Sequence, residues 1–159
     1  MISIEKLENT VKSLNITVIV LECFHILGGL ITIFSYYTSL ASLKNGNFEK
    51  LGYTAKQIEM IRKSTTPLLL TIGLVILVMG IIILVLAVKN LKAIKNKEYV
   101  SYLPYLLGGG LIIIILVNNF ITSVRIGAGF SPLSFIIIAV YAIVYIATYL
   151  QAKKLNADG

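Results

Sequence analysis

Residues 67–88 decide the fold, because they read PLLLTIGLVILVMGIIILVLAV without an acidic, basic or histidine side chain. A helix rises about 1.5 Å per residue, so roughly 20 apolar residues cross the hydrocarbon core of a bilayer. Residues 103–124 and 126–151 are equally free of ionisable groups, tyrosines apart. These three stretches predict three transmembrane helices.

The composition argues against a soluble globular protein. The 159 residues are 57% hydrophobic and 13% charged, whereas a soluble domain is roughly a quarter charged. The net charge of +7 comes from lysines and arginines that flank the apolar stretches. We therefore expect contact with anionic lipid head groups and no binding of nucleic acid. One cysteine and one histidine are too few for a metal cage or a catalytic triad, so we expect no metal, no cofactor and no enzymatic activity.

A fourth apolar stretch, residues 15–37, contains Glu22 and His25. A cleaved signal peptide has an apolar core of only about 7–15 residues, and an acid in its middle is unsuitable, so we interpret this stretch as a membrane span. The sequence predicts an all-α integral membrane protein, a four-transmembrane-helix bundle forming one membrane domain over residues 1–159. Its predicted spans are 15–37, 67–88, 103–122 and 132–151.

The basic residues between the spans predict the orientation. The loop between the second and third spans carries four lysines and one glutamate, whereas the next loop carries only Arg125. The positive-inside rule therefore predicts a multi-pass protein of the cell membrane with both termini in the cytoplasm, N-in/C-in. The first loop is also basic, so that eight of the 14 lysines and arginines lie inside and six outside.

The first extracellular loop is predicted to contain a short amphipathic helix over residues 55–63. Thr54 and Gln57 have the spacing of a capping box, in which each side chain binds a backbone amide of the other's turn. Ile58 and Ile61 lie on one face of this segment. Two interpretations stay open: a helix that lies on the outer leaflet or caps the bundle, and an element that docks a partner.

Two spans carry distinctive residues at intervals of seven. The second span has a helix-packing seam of small residues at Thr66, Gly73, Gly80 and Ala87. The first span has polar or small residues at Asn15, Glu22, Gly29 and Tyr36. A straight helix drifts only about 20° per heptad, so each set forms one continuous stripe, and small residues allow helices to approach closely in lipid. The opposite face of the first span suits lipid and includes Ile19, Leu30 and Ile33.

Glu22 and His25 form the candidate intramembrane polar site. Spaced three apart, they share one helix face, and Glu22 lies about 6 Å to the cytoplasmic side of the middle of its span. Counting along the other spans places Gly80 and Tyr145 at the same depth, with Tyr141 one turn away. Three interpretations stay open: a structural clasp of an uncharged carboxyl, a proton or cation site, and recognition of a partner's helix.

A second candidate lies at the outer mouth, where Asn118, Asn119 and Arg125 close the third span. They form a helix end and turn or an anion site beside the start of the fourth span.

From these features we predict a non-enzymatic accessory, regulatory or partner-binding subunit, whose partner is another membrane protein or a further copy of the chain. The alternative is a small proton- or cation-coupled transporter that uses Glu22 and His25.

Overall fold

The computed structural model describes residues 4–127, 129 and 131–158, and within this part the chain is helical with no strand. Six helices follow one another: α1 (Ile4–Lys44), α2 (Asn47–Lys50), α3 (Ala55–Ser64), α4 (Pro67–Asn96), α5 (Leu103–Ile126) and α6 (Pro132–Asp158). Proline opens α4 and α6, where its missing N–H group would be unpaired anyway.

Four of the helices, α1, α4, α5 and α6, are long and apolar enough to cross a membrane, which confirms that part of the predicted fold. The helix α1 has 41 residues and is therefore about 60 Å long, twice the hydrocarbon thickness. Its described part reaches back to Ile4, and the buried Leu7 and Val11 stabilise these additional turns. The membrane limits within these helices stay predictions.

The four long helices form a ring in which α1 packs on α4 and α6, and α5 packs on the same two helices from the opposite side. The closest approach is between α1 and α4. A Cβ atom added at Gly29 would lie 2.8 Å from the backbone nitrogen of Leu77 and 3.0 Å from the carbonyl oxygen of Gly73. These two backbones touch because glycine leaves no side chain between them.

The two seven-residue stripes face each other in antiparallel register. Asn15 bonds the carbonyl of Ala87, Glu22 faces Gly80, and Gly29 meets Gly73. The assignment of Ile19 and Ile33 to the lipid face was wrong. Ile19 packs against the buried core. The Cγ1 atom of Ile33 would lie 3.1 Å from a Cβ at Gly73, because Thr32 and Ile33 lie on either side of that glycine where the helices touch.

The core lies towards one end of the bundle. The buried side chains of α5 and α6 all belong to the halves nearest the N-terminus of α1: Pro104, Tyr105, Gly108, Leu111, Ile112, Tyr145, Thr148, Ala152 and Leu155. The other halves carry exposed apolar side chains, among them Val117, Phe120, Val124, Leu133, Phe135 and Ile136. The packed end continues past the predicted spans, through Leu7, Val11, Ile94 and Val100.

The short helix α3 begins after Thr54, and both hydrogen bonds of its capping box with Gln57 are present. Ile58 is its buried residue, and α3 packs on α5 and on the end of α1. Glu59 lies 3.8 Å from the ammonium group of Lys63 on the exposed side. The location of α3 on the extracellular side stays a prediction.

Candidate functional site

The carboxyl group of Glu22 is completely buried where α1, α4 and α6 meet. Its Oε1 atom accepts a hydrogen bond from the hydroxyl of Tyr145, and its Oε2 atom lies 3.2 Å from Nδ1 of His25. Both carboxyl oxygens are therefore engaged within the bundle, as a buried acid requires.

Two glycines make room for this arrangement. A Cβ atom at Gly80 would lie 3.5 Å from Oε2 of Glu22 and 3.1 Å from Cγ1 of Ile26. A Cβ atom at Gly108 would overlap three ring carbons of Tyr145. The ring of Tyr145 therefore occupies the space that a side chain on α5 would need, and its hydroxyl reaches Glu22 only because residue 108 is glycine.

His25 joins the buried carboxyl to the edge of the bundle. Its ring packs against the ring of Tyr141 on α6, with centroids 4.4 Å apart and an angle of 34° between the planes. The side chain of His25 is 11% exposed, whereas that of Glu22 is 0% exposed. The four predicted residues of this site, Glu22, His25, Tyr141 and Tyr145, are thus brought together between α1 and α6.

The site is closed in the structure. Within the described residues, every buried side-chain nitrogen or oxygen has a hydrogen-bond partner. Crevices in this part of the chain lie near the N-terminus of α1 and the end of α4, and a further one separates the outer parts of α4 and α5. None of these cavities is lined by Glu22 or His25.

Sequence reasoning missed a second polar cluster, which we call the asparagine network. Asn15 donates to the carbonyl of Ala87 at 2.7 Å and accepts from the hydroxyl of Tyr105 at 2.8 Å. Asn90 donates to the same hydroxyl at 3.0 Å. The amide of Asn90 also pairs with both backbone groups of Ser101, at 3.0 and 2.8 Å. The network therefore ties α1, α4 and α5 together where the core is densest.

A neighbouring clamp holds the α4–α5 loop to α6. The side-chain amide of Asn156 pairs with the backbone N–H and carbonyl groups of Val100, both at 2.9 Å. Two consecutive loop residues are thus each held by an asparagine from a different helix. The sequence does contain a signal for the asparagine network. Asn90 lies three residues after Ala87 and hence on the inward face of α4. No pattern in the sequence indicates Asn156.

The structure separates the residues predicted for the outer mouth. Arg125 donates to the hydroxyl of Thr66 at 3.1 Å, which links the end of α5 to the start of α4. Asn119 lies three turns after Gly108 and therefore shares its inward face. Asn118 instead lines the groove between α4 and α5. The anion site at the outer mouth stays a prediction, because residues 128 and 130 beside it lie outside the described residues.

The described residues contain no group of three or more histidine, cysteine or acidic side chains able to hold a metal ion. Cys23 is a free, exposed thiol on α1. Comparisons of the chain with protein-family models, with curated proteins and with solved structures returned no match.

Proposed function

We propose that this chain is a non-enzymatic, partner-binding subunit of the cell membrane, in which Glu22, His25 and Tyr145 form a structural clasp. The observation that carries this proposal is the closure of the Glu22 site. The carboxyl is fully buried, and both of its oxygens are engaged by side chains of the same bundle. A coupling site in a transporter needs a path from water to its ionisable group.

The clasp joins α1 to α6, whereas the small-residue seam joins α1 to α4. Gly29, Gly73 and Gly80 hold α1 against α4 by close backbone approach. The contact between α1 and α6 has the hydrogen bond from Tyr145 and the packing of Tyr141 on His25. Polar side chains often join helices in this way in lipid, where apolar side chains gain little by meeting each other.

The exposed surface favours lateral partners. The loops between the long helices are short, apart from the one that contains α2 and α3. The outer halves of α5 and α6 carry large apolar side chains that no other part of the bundle covers. A chain of this kind can act on a second membrane protein through its helix surfaces, as an accessory, regulatory or immunity-type subunit.

A pull-down from the native membrane tests the proposal. The tagged chain is extracted in a mild detergent, with Gly80→Leu as the control because it puts a side chain against Ile26 and Glu22. We expect a stoichiometric partner with the wild type, either a second membrane polypeptide or an untagged second copy of the chain, and its loss with Gly80→Leu. Recovery of the wild-type chain as a monomer without any partner would contradict the proposal.

The orientation N-in/C-in is part of the proposal, and the lysine-rich end supports it. Lys12, Lys92 and Lys95 line one crevice of about 390 Å³ between α1 and α4, at the end where the termini lie. This cluster suits anionic head groups of the inner leaflet. In a Cys23→Ala background, an impermeant maleimide should label Lys56→Cys in intact cells and Lys95→Cys only after permeabilisation. The reverse pattern would overturn the orientation.

A proton-coupled transporter is the second candidate, and the partial exposure of His25 favours it. The imidazole lies between the buried carboxyl and the edge of the bundle, so it is positioned to pass a proton to Glu22. Purified protein in liposomes with an internal pH dye tests this candidate. Proton flux that disappears in Glu22→Gln would support it, and flux indistinguishable from that of empty liposomes would exclude it.

A further inference from the structure

Asn118 is an amide in an apolar groove without a hydrogen-bond partner. Its side chain is half-buried and forms no hydrogen bond with any described residue. The groove has a volume of about 260 Å³ and is otherwise lined by leucine, isoleucine and valine: Leu68, Ile72, Ile113, Ile114, Val117 and Ile121. All buried polar side chains of the described residues are paired, so the unpaired amide of Asn118 is reachable from outside.

The depth of Asn118 makes this arrangement unfavourable for a single chain in lipid. Gly108 lies at the level of Glu22, through the ring of Tyr145. Ten residues further along α5, Asn118 is about 15 Å nearer the outer surface. Because Glu22 is predicted to lie about 6 Å to the cytoplasmic side of the bilayer centre, Asn118 lies about 9 Å beyond the centre on the outer side. The hydrocarbon layer extends about 15 Å from the centre, so Asn118 lies within it. The short asparagine side chain cannot reach the head groups from there, and no water is available to satisfy it.

The helix face beside Asn118 is built for close contact. Ile113, Val117 and Ile121 form a ridge of β-branched side chains that are 62%, 51% and 39% exposed. Gly110 lies on the same face two turns before Val117, and a Cβ atom there would meet nothing within 4 Å. A small residue followed by a ridge is typical of helix–helix contacts in membranes, yet these side chains stay exposed beside Leu68 and Ile72 of α4.

We propose that two copies of the chain pair through this face, with the Asn118 side chains hydrogen-bonded to each other. The α5 pairing face is formed by Gly110, Ile113, Val117, Asn118 and Ile121. This pairing rests on the proposed partner-binding function. It specifies the α5 pairing face as the binding surface and a second copy of the chain as the partner.

Symmetry is the reason to assign a second copy to this surface. An amide has both donor hydrogens and an acceptor oxygen, so two asparagines are complementary to each other. Two copies inserted in the same orientation and related by a two-fold axis along the membrane normal carry Asn118 at the same depth. Any other partner would need a polar side chain that happens to lie at that level. The ridge of each copy then packs beside the groove of the other.

Disulfide cross-linking of the full-length chain in liposomes tests the pairing. In a Cys23→Ala background, Val117→Cys reports on the α5 pairing face. The matched control is Ile136→Cys, which is 58% exposed on α6. Residue 136 lies nine residues before Tyr145, and so at nearly the same depth as residue 117, but it points away from the bundle. We expect oxidised dimer from Val117→Cys and little from Ile136→Cys, with the difference retained when the protein is diluted in lipid.

A second pair of variants tests the amide itself. Asn118→Leu in the Val117→Cys background should lower the dimer yield about threefold, because it removes the interchain hydrogen bond. Asn119→Leu, on the inward face, should leave the yield unchanged. The monomer should tolerate Asn118→Leu, since this side chain forms no hydrogen bond with the described residues.

Equal cross-linking at residues 117 and 136, or an unchanged yield with Asn118→Leu, would overturn the pairing. A pull-down that recovers a different membrane protein, together with equal cross-linking, would leave the proposed function standing without the pairing.

Discussion

The ring of Tyr145 occupies the space that a side chain at Gly108 would fill, because a Cβ atom there would overlap three of its ring carbons. This fit between α5 and α6 aims the hydroxyl of Tyr145 at Glu22 on α1. The buried acid thus gains its hydrogen bond from Tyr145 because residue 108 on a third helix is glycine.

Gly108→Ala should destabilise the bundle because the methyl group forces the ring of Tyr145 away and separates it from Glu22. Overpacking of this kind costs about 1–3 kcal/mol. The measurement is unfolding in a detergent series, with Gly109→Ala as the control, since a Cβ atom at Gly109 meets nothing within 4 Å. Equal stability of the two variants would show that α5 and α6 adjust without strain.

Gly29→Ala should separate α1 from α4, because a Cβ atom at Gly29 would lie 2.8 Å from a backbone nitrogen, which cannot rotate away as a side chain can. Gly28→Ala is the matched control on the next residue, where a Cβ atom meets nothing within 4 Å. We expect the Gly29 variant to lose about 1–3 kcal/mol of unfolding free energy and the Gly28 variant to equal the wild type. A larger loss of unfolding free energy in the Gly28 variant than in the Gly29 variant would refute the contact between the two seven-residue stripes.

The small residues at intervals of seven predicted the contact between α1 and α4, because membrane helices approach closely where small residues repeat on one face. Counting 1.5 Å per residue also predicted that Gly80 and Tyr145 lie at the level of Glu22. The extension of α1 back to Ile4 was not predicted, since the charged residues of that segment conceal the buried Leu7 and Val11. The assignment of Ile33 to the lipid face was wrong because periodicity does not show how many neighbouring positions on α1 contact one glycine of α4.

The asparagine network and the clamp on Val100 were beyond sequence reasoning for a different reason. Their acceptors and donors are backbone groups of a loop, Val100 and Ser101, which carry no residue signature. An asparagine near a helix end is commonly a cap or a solvated side chain, so its sequence position alone does not indicate a partner on another helix.

Asn90→Ala should loosen the α4–α5 loop, because it removes both hydrogen bonds to Ser101 and one to Tyr105. Leaving these buried groups unpaired costs about 1–3 kcal/mol. Hydrogen exchange should report faster exchange of the Ser101 amide, with that of Val100 less affected because Asn156 still binds it. Asn96→Ala is the control, since Asn96 is exposed and bonds Glu98. Unchanged exchange at Ser101 would contradict the network.

Glu22→Gln should insert and purify like the wild type, because glutamine keeps the shape and can bond both Tyr145 and His25. Interhelical hydrogen bonds in membranes average only about 0.6 kcal/mol, so the loss of unfolding free energy should be of that order. Gly80→Leu should fail to assemble, since its side chain meets Ile26 and Glu22. Loss of the folded state in Glu22→Gln would mean that the charge itself is required.

We propose that Glu22 closes a bundle whose role is to bind a partner. This proposal is tested most directly by the recovery of a native-membrane partner with the wild type and with Glu22→Gln, normalised to folded protein. We expect one stoichiometric partner, recovered equally by both chains. No partner with the wild type, together with proton flux in liposomes that Glu22→Gln abolishes, would contradict it.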